Sequence, residues 1–503
     1  MIVFKKILVA NRGEIALRIM RTCREMNIAT VAVFSDIDRT SPFVCFADEA
    51  YPLGGVTSQE TYLNQKKILE IAIQSGSQAI HPGYGFLAEN ADFAQAVQEA
   101  GLTFIGPGPD SIRLMGNKTA ARQLMKEHGV PTVPGTLEPI ADKERAFDIT
   151  RQIGYPVLIK ASAGGGGKGM RLIQKEEDFF DGLESAAREA QAAFGDSSVY
   201  IEKFVEEPRH IEFQILADGK GHIIHLGERE CSIQRRHQKI IEECPSALLD
   251  SNLREQMGEA AIRAARACNY LNAGTIEFLV DKHRNFYFLE MNTRLQVEHP
   301  VTEMVTGLDL VREQIYIAAG QEMTPRQSVN RFWGHAIECR LYAENPENSF
   351  APSPGKILYL KPADGPGIRE DSGVMQGSEI SLYYDPMISK LIAWGTDRPQ
   401  AIQRMIRALR EYEITGIHTT IPFLIRVLEH PKFRAGTFTT KFIEEYGNDL
   451  FIQDKDRAAI AALASVIQQV QEKNQLKLGV NHRRHSPNNS RWKQIKRASN
   501  LRE

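Results

Sequence analysis

The chain of 503 residues has a formal net charge of -2, with 42% hydrophobic and 25% charged residues. This balance is typical of a globular protein with a large core, and the length predicts roughly two to four domains. Without an excess of positive charge, neither nucleic acid nor an anionic membrane is expected as a partner. No apolar run approaches the roughly 18 residues of a membrane span.

The amino terminus and the cysteines both predict a cytoplasmic protein. The first ten residues resemble a short strand and lack the layout of a secretory signal. The six cysteines are scattered and include no C-x-x-C pair, which predicts buried free thiols and argues against a zinc site. They are Cys23, Cys45, Cys231, Cys244, Cys268 and Cys339.

Residues 1–115 alternate apolar strands with helical patterns, which predicts a parallel α/β sheet covered on both faces. Functional loops are then expected at the carboxyl ends of the strands, as at Asn11–Gly13 and His81–Gly85. The first of these loops lacks the G-x-G-x-x-G spacing, so dinucleotide binding is not supported. The predicted strands are Lys6–Ala10, Thr30–Phe34, Gln78–Ile80 and Thr103–Ile105, and the predicted helices are Glu14–Met26 and Ala91–Ala100.

A glycine-rich loop lies in a predicted sub-domain of residues 136–205, between the strands Val157–Lys160 and Met170–Ile173. Four successive glycines allow backbone amides to approach phosphate oxygens closely. Because a strand follows instead of a helix, the loop differs from a P-loop and predicts a mobile lid over a nucleotide. Lys160 and the helix-opening Lys118 are candidate phosphate contacts. The alternative is a flexible surface turn.

Two further charged segments interrupt apolar strands. In Val199–Val205, Glu202 is placed to accept a ribose hydroxyl while the backbone meets an adenine; the alternative is the wet face of an edge strand. In Glu228–Lys239, strand alternation would put Arg235, His237 and Lys239 on one face, which suits an anion. The alternative is a face that forms salt bridges with nearby glutamates.

A hairpin of Thr275–Val280 and Phe286–Leu289 predicts that Glu277 and Glu290 lie side by side. Adjacent carboxylates repel unless a cation lies between them. Oxygen ligands without Cys or His favour Mg²⁺, and Asn292 completes a predicted two-Mg²⁺ clamp.

The segment that starts at Glu290 carries alternating polar residues. If the strand continues to residue 298, Arg294, Gln296 and Glu298 share the face of the metal ligands and predict a site for an anionic substrate. The alternative is a solvated edge face. Glu298 is then a candidate general base. Farther along, Arg340 shares a strand face with Glu338 and is placed to stabilise an oxyanion.

Beyond Trp333 the glycine- and proline-rich turns predict a mostly β unit of residues 331–450 with helices at Pro399–Tyr412 and Thr420–Leu428. Residues 451–503 are predicted to be a helix, Ala458–Gln471, followed by a basic flexible tail. This tail is interpreted as solvated, with an electrostatic docking arm as the alternative.

Taken together, these segments resemble the biotin carboxylase family of the ATP-grasp enzymes over residues 1–448. The resemblance implies an ATP-grasp fold with an amino-terminal parallel α/β domain (1–115), an ATP-grasp domain (116–330) with a mobile lid at about 136–205, and a carboxyl-terminal domain (331–450). The segments that carry it are Ile7–Ala16, His81–Asn90, Lys160–Met170, Arg235–Lys239 and Glu290–His299.

The resemblance implies that MgATP phosphorylates bicarbonate to carboxyphosphate, whose CO₂ is passed to N1′ of biotin on a carrier protein. The metal ion is expected to be Mg²⁺, with Mn²⁺ as the alternative. Implied nucleotide contacts are Lys118, Lys160, Gly166, Gly167, Glu202, Lys203, Val205 (through its backbone), His210, His237, Glu277 and Glu290, and implied metal ligands are Glu277, Glu290 and Asn292. Implied bicarbonate contacts are Lys239, Arg294, Gln296 and Val297, with Glu298 as the base; Arg340 is implied to stabilise the biotin enolate, with Tyr84 and Gly85 near the ureido ring.

The chain shows no Met-Lys-Met sequence for biotin attachment and no small β-barrel domain at its end. We therefore expect the biotin carrier and the carboxyltransferase on separate chains, and family likeness implies a homodimer. An acetyl-CoA, pyruvate or propionyl-CoA carboxylase would each fit. The alternatives are another bicarbonate-activating ATP-grasp ligase, such as one that forms carbamoyl phosphate, and a catalytically inactive ATP-binding regulatory subunit.

Overall fold

The computed structural model describes residues 4–136, 140, 142–161, 170–194, 196–236, 238–324, 327–328, 331–451 and 466. Residues Met1–Phe451 form one compact unit, and Ile452–Glu503 form a second. The glycine loop, including Gly166 and Gly167, lies outside the described residues, as do His237 and the predicted tail apart from Phe451 and Val466.

The amino-terminal strands form a five-stranded sheet in the order β3-β2-β1-β4-β5, and each neighbouring pair is parallel. Ile7, Leu8 and Val9 are fully buried, because helices cover both faces of a parallel sheet. The predicted parallel α/β fold is confirmed, and the ends of the predicted strands and helices differ from the observed ones by at most one residue. The elements are β1 (Lys6–Val9), α1 (Gly13–Glu25), β2 (Ala29–Phe34), α2 (Pro42–Phe46), β3 (Glu49–Pro52), α3 (Gln65–Gln74), β4 (Ala79–His81), α4 (Ala91–Glu99) and β5 (Thr103–Phe104).

A small antiparallel sheet, β7-β6-β8, follows three helices. Ile159 and Ile201 from this sheet are fully buried together with Phe179 of the helix that covers it. The elements are α5 (Pro109–Gly116), α6 (Lys118–Glu127), α7 (Lys143–Ile153), β6 (Val157–Ala161), β7 (Met170–Ile173), α8 (Phe179–Phe194) and β8 (Val199–Lys203).

The next region contains long buried strands and the helices that pack on them. Its elements are β9 (Arg209–Ala217), β10 (Ile223–Arg235), β11 (Gln238–Cys244), α9 (Ser251–Ala267), β12 (Asn272–Val280), β13 (Phe286–Asn292), α10 (His299–Thr306) and α11 (Leu310–Ala318).

The last described region contains two long strands that pair antiparallel with each other, together with short strands and helices. Its elements are β14 (His335–Tyr342), β15 (Glu344–Asn345), β16 (Ala351–Pro352), β17 (Gly355–Lys356), β18 (Tyr359–Lys361), β19 (Ile368–Ser372), β20 (Glu379–Ile380), β21 (Met387–Gly395), α12 (Arg398–Glu411), β22 (Glu413–Thr415), α13 (Ile421–Glu429), α14 (Pro431–Arg434), α15 (Phe442–Glu445) and α16 (Gly447–Leu450).

Strands of both regions form a single eight-stranded sheet in the order β13-β12-β9-β10-β11-β14-β21-β19. Its neighbouring pairs are antiparallel, and β11 joins β14 through the pairs Ile241 with Cys339 and Glu242 with Glu338. The sheet therefore continues across residue 330, and it places the charged segments of the two regions next to one another. In the part of the chain that the structure describes, no helix is long and apolar enough to cross a membrane.

Two strand predictions are wrong. The segment Glu228–Lys239 is not one strand, because the chain reverses at Arg236, whose φ of 51° is left-handed, and Arg235 pairs with Gln238. Lys239 pairs instead with Gln234, so Arg235 and Lys239 point to opposite faces of the hairpin.

The second error concerns the segment after Glu290. Strand β13 ends at Asn292, and α10 begins at His299 with Pro300 in its first turn, where a proline is readily accommodated. Arg294, Gln296 and Glu298 therefore do not share a strand face. They reach the same region from an irregular connection between the strand and the helix.

Candidate active site

A cavity of about 590 Å³ is lined by residues that follow β1 and β4 and by residues of the large sheet. Many of the residues predicted from the sequence line it. These are Tyr84, Gly85, His210, Lys239, Glu277, Glu290, Asn292, Arg294, Gln296, Val297 and Arg340.

Lys239 on β11 lies at the centre of an acidic cluster. Its Nζ donates to Glu212 Oε2 at 2.5 Å, to Glu277 Oε1 at 2.8 Å and to Glu298 Oε1 at 2.6 Å. Burial alone would lower the pKa of this ammonium group, but the three carboxylates outweigh burial and raise the pKa well above its usual value. Lys239 is therefore a permanent cation at the floor of the cavity.

Glu298 lies directly behind the cavity wall and is fully buried. Its Oε1 accepts from Lys239, and its Oε2 accepts from Arg340 Nη2 at 3.0 Å. Burial would raise the pKa of this carboxyl group, but Lys239, Arg340 and Arg229 together hold the pKa well below its ordinary value. Glu298 is thus ionised at neutral pH, which is the state that a general base requires.

Arg340 on β14 is oriented by a second carboxylate. Its Nε donates to Glu242 Oε1 at 2.7 Å, and its Nη2 lies 2.6 Å from the same oxygen. Burial raises the pKa of Glu242 to about 7, and Arg340 only partly offsets this increase. The guanidinium group is therefore held in one orientation between Glu242 and Glu298.

The predicted carboxylate pair forms as expected from the hairpin, because Glu277 on β12 lies opposite Glu290 on β13. Asn292 Nδ2 donates to Glu277 Oε1 at 2.9 Å. Burial raises the pKa of Glu290, and the neighbouring Glu277 raises it further. Among the described residues, the cation nearest to Glu290 is Lys118, whose Nζ lies 3.9 Å from Glu290 Oε2. The two carboxylates repel each other unless a cation lies between them. Together with the amide oxygen they form a donor set that fits Mg²⁺.

Arg294 lies on the connection between β13 and α10. Its Nη1 donates to Gln296 Oε1 at 2.8 Å, and its Nη2 donates to Asn292 Oδ1 at 2.9 Å. Gln296 Nε2 in turn donates to Glu277 Oε1 at 3.2 Å. The geometry thus joins the predicted anion site to the predicted metal site through side-chain hydrogen bonds.

The opposite wall of the cavity carries Tyr84 and Gly85. The Tyr84 hydroxyl donates a short hydrogen bond to Glu14 Oε1, and Lys390 Nζ lies 3.2 Å from the same oxygen. Lys390 Nζ also donates to the carbonyl oxygen of Val297 at 2.8 Å. Burial raises the pKa of Glu14 to about 7, against the lowering effect of Lys390.

The other predicted nucleotide residues do not line this cavity among the described residues. Lys160 and Glu202 form an ion pair on the small sheet, where Arg122 contacts the same carboxylate. The Lys203 ammonium group donates to the carbonyl oxygens of Gly154 and Tyr155 at 2.8 and 3.0 Å. Lys118 lines a smaller neighbouring cavity, and Val205 is half-buried after β8.

Sequence reasoning missed several charged residues of the site. Glu212 on β9, Glu242 on β11 and Lys390 on β21 are fully buried. Glu338, which the sequence placed beside Arg340, is fully buried as well. A single charge inside an apolar strand was the signal that identified Glu277, and the same signal was available for Glu212 in Arg209–Ala217. The contacts of Glu14 and Glu89 join distant parts of the chain and leave no local pattern.

Five of the six cysteines are buried, Cys45 is exposed, and all six are free thiols. Burial raises the pKa of Cys231, which lies 3.9 Å from Glu298, well above its usual value. This thiol is therefore protonated and unreactive at neutral pH.

Three family models match successive parts of the chain. Residues 3–112 match "Biotin carboxylase, N-terminal domain", residues 117–326 match "Carbamoyl-phosphate synthase L chain, ATP binding domain", and residues 338–445 match "Biotin carboxylase C-terminal domain".

Known proteins resemble the chain over most of its length. A biotin carboxylase from a Nostoc species is 55% identical over 442 residues, 88% of this chain and 99% of that protein. A pyruvate carboxylase subunit from Methanothermobacter thermautotrophicus is 54% identical over 443 residues, 88% of this chain and 90% of that protein. A solved biotin carboxylase domain dimer of 2-oxoglutarate carboxylase from Hydrogenobacter thermophilus, in complex with MgADP, ADP and bicarbonate, is 50% identical; the match covers 90% of this chain and 100% of that chain, with a TM-score of 0.83.

Proposed function

The chain belongs to the biotin carboxylase family, and we propose that the residues of the 590 Å³ cavity activate bicarbonate and carboxylate biotin. The protein has the ATP-grasp fold and is a biotin carboxylase, a ligase that uses ATP, Mg²⁺ and bicarbonate to carboxylate biotin on a carrier. The roles of individual residues are the proposal, and the geometry of the cavity supports them.

Glu298 is the proposed general base for bicarbonate. The observation that carries this role is the buried carboxylate held between Lys239 and Arg340 at 2.6 and 3.0 Å. These cations keep Glu298 ionised, and an entering bicarbonate anion shares their charge, so the carboxylate becomes more basic when the substrate is present. Proton transfer to Glu298 leaves carbonate to attack the γ-phosphorus of ATP, which breaks the bond to the β,γ-bridging oxygen, releases ADP and forms carboxyphosphate.

Arg294, Gln296, Lys239 and the backbone at Val297 are the proposed bicarbonate contacts. A guanidinium fork offers two parallel hydrogen bonds to a carboxylate-like anion. Lys239 adds a fixed positive charge from the floor of the cavity.

Arg340 is proposed to stabilise the biotin enolate, with Tyr84 and Gly85 next to the ureido ring. The ureido nitrogen is a very weak acid, so the anion needs a fixed positive partner. Glu242 supplies the orientation of the guanidinium group, because it accepts from Nε at 2.7 Å.

Glu277, Glu290 and Asn292 would hold Mg²⁺ or Mn²⁺, which supplies charge neutralisation for the phosphates of the bound nucleotide. The remaining proposed nucleotide contacts are supported by the family likeness and by relatives solved with ADP. They are Lys118, Lys160, Gly166, Gly167, Glu202, Lys203, Val205, His210 and His237.

We also propose the assembly and the domain division. The domains are 1–115, 116–330 with the lid at about 136–205, and 331–450, followed by the tail 451–503. A homodimer is supported by the dimeric biotin carboxylase domain of the relative. The biotin carrier and the carboxyltransferase are proposed on separate chains, and the free cysteines support a cytoplasmic location.

The test is steady-state ATP hydrolysis by the purified chain with and without bicarbonate and free biotin. We expect hydrolysis to depend on bicarbonate and to be stimulated by biotin. Glu298→Gln should lower the bicarbonate-dependent rate by about 10²–10⁴-fold, because it removes the base. Arg340→Ala should abolish biotin stimulation, and the exposed Glu413→Gln serves as the control.

ATP binding without stimulation by bicarbonate and biotin would contradict the proposal and indicate an inactive regulatory subunit. Bicarbonate-dependent hydrolysis that yields carbamoyl phosphate with ammonia, and no carboxybiotin, would indicate the other ligase class. Loss of activity in Glu413→Gln equal to that in Glu298→Gln would remove the specific role of Glu298.

A further inference from the structure

The motif at residues 81–90 contains a carboxylate, Glu89, that takes part in none of the proposed steps. Glu89 Oε2 accepts a hydrogen bond from Arg294 Nε at 2.8 Å. Its Oε1 accepts from the backbone nitrogen of Thr293 at 3.0 Å and from the Thr293 hydroxyl at 3.4 Å. One side chain therefore contacts two successive residues of the connection that carries Arg294, Gln296 and Glu298.

The support behind Glu89 is fixed by buried hydrogen bonds. Asn11 is 2% exposed, and its Nδ2 donates to the carbonyl oxygens of Pro82 and Tyr84, each at 2.7 Å. The backbone N–H of Ala88 donates to the carbonyl oxygen of Gly85 at 2.9 Å. Asn90 caps α4, because its Oδ1 accepts from the backbone N–H of Phe93 at 2.8 Å. The loop that carries Glu89 is thus anchored at both ends.

The contact at Nε determines which edge of the guanidinium group remains for a ligand. Nη1 donates to Gln296 Oε1 and to the carbonyl oxygen of Leu295 at 3.3 Å, and Nη2 donates to Asn292 Oδ1. Gln296 and Asn292 both line the cavity. A guanidinium group binds an anion in a bidentate manner through one edge at a time. With Nε held by Glu89, the Nη1–Nη2 edge is the one presented to the cavity.

We propose that Glu89 is a positioning residue that orients Arg294 for bicarbonate. Its carboxylate joins the loop of Tyr84 and Gly85 to the connection of Arg294 and Glu298, so it also links the biotin side of the cavity to the bicarbonate side. The inference rests on the proposed role of Arg294. Glu89 contacts neither substrate and acts only through Arg294 and Thr293.

The first test is the kinetics of Glu89→Gln, which keeps an oxygen for Thr293 N and removes the charge that holds Arg294. We expect KM for bicarbonate to rise about tenfold, since a charged hydrogen bond is lost. The kcat at saturating bicarbonate should stay within about threefold, and KM for ATP should not change. Parallel changes in both KM values and in thermal stability would indicate a merely structural role and overturn the inference.

The matched control is Asp92→Asn. Asp92 is an exposed carboxylate three residues farther along, paired with Arg113 at 3.3 Å, and its neutralisation removes the same charge near the same helix start. We expect wild-type KM for bicarbonate. A rise equal to that of Glu89→Gln would mean that general electrostatics explains the effect, and the positioning role would be lost.

A double-mutant cycle separates this inference from the proposed function. If Glu89 acts through Arg294, adding Glu89→Gln to Arg294→Gln should change KM for bicarbonate by less than about twofold. Thermal stabilisation by bicarbonate in the presence of MgADP gives the same comparison without turnover. Additive effects overturn the inference, whereas a wild-type response to bicarbonate in Arg294→Gln overturns the role of Arg294 itself.

Discussion

Lys239 places one ammonium group within 2.8 Å of three carboxylate oxygens. Removing water from such a group is costly, and the three acids offset this cost only while the cation is present. In the proposed mechanism the same arrangement serves the chemistry, because it keeps Glu298 ionised and offers a positive charge to bicarbonate. Stability and function therefore depend on the same charge balance at this residue.

Lys239→Met should destabilise the fold by about 3–5 kcal/mol, because it leaves buried carboxylates without their cation. Urea unfolding at neutral pH would measure this loss. Lys282→Met is the control, since Lys282 forms an exposed pair with Glu206 at 2.7 Å and its removal should leave stability nearly unchanged. Equal stability of the two variants would contradict the charge-balance argument.

Glu338 illustrates the opposite case, a buried acid that the surrounding charges do not keep ionised. Neither of its carboxylate oxygens has a hydrogen-bond partner among the described residues. Burial raises the pKa of Glu338 well above its usual value, against the effect of Lys390, and Glu242 raises it further. The folded state therefore holds a proton that the unfolded chain releases above its ordinary pKa.

The stability that this proton confers is present at low pH and is lost as the pH rises. Glu338→Gln resembles the protonated acid and should remove this dependence, so the variant should gain stability relative to wild type between about pH 5 and pH 7, which lie above the ordinary pKa of a glutamate, about 4.3. Thermal unfolding at both pH values measures the difference. Parallel losses in variant and wild type would show that Glu338 is not the group responsible.

At the scale of elements, strand ends and turns position the site. Strands β12 and β13 bring Glu277 opposite Glu290. The irregular connection after Asn292 places Arg294 in the cavity lining and Glu298 against Lys239 and Arg340. The loop after β4 is stabilised by a hydrogen bond to a buried histidine. His81 is fully buried, and its Nδ1 accepts from Gly83 N at 3.1 Å.

His81 predicts a loss of stability in acid. Burial lowers the pKa of His81 to about 3, whereas the unfolded chain takes up the proton below about pH 6.5. Stability therefore falls as the pH decreases from about 6.5 toward 3, by about 2 kcal/mol between pH 7 and pH 5. His81→Asn should reduce this slope in urea unfolding at the two pH values, and the exposed His283→Asn should not.

At the scale of the whole molecule, the eight-stranded sheet joins segments far apart in the sequence. Glu243 on β11 accepts from Arg398 Nε at 2.6 Å and pairs with His335 Nε2 at 2.8 Å. Glu242 depends on Arg340 in the same way. Glu242 and Glu243, which precede residue 330, therefore pair with cations that follow it.

A fragment of residues 1–334 should not fold to a stable state, because it lacks β14, β19 and β21 and leaves Glu242 and Glu243 buried without their cations. A fragment of residues 1–451, which contains the whole compact unit, should unfold cooperatively. Circular dichroism melts and limited proteolysis of the two fragments test this. A cooperative melt of the shorter fragment would contradict the dependence.

The sequence by itself determined the local elements, the paired acids and the family. Strand–helix alternation predicted the parallel sheet, and the turn between Val280 and Phe286 predicted that Glu277 and Glu290 are neighbours; both depend on interactions over a few residues. Only the tertiary structure decided the rest. A reversal at Arg236 separated Arg235 from Lys239, strand order brought Glu242 and Arg340 to Glu298, and Glu89 met Arg294 across 205 residues. Side-chain periodicity is local, whereas register and neighbouring strands are set by packing of the whole core.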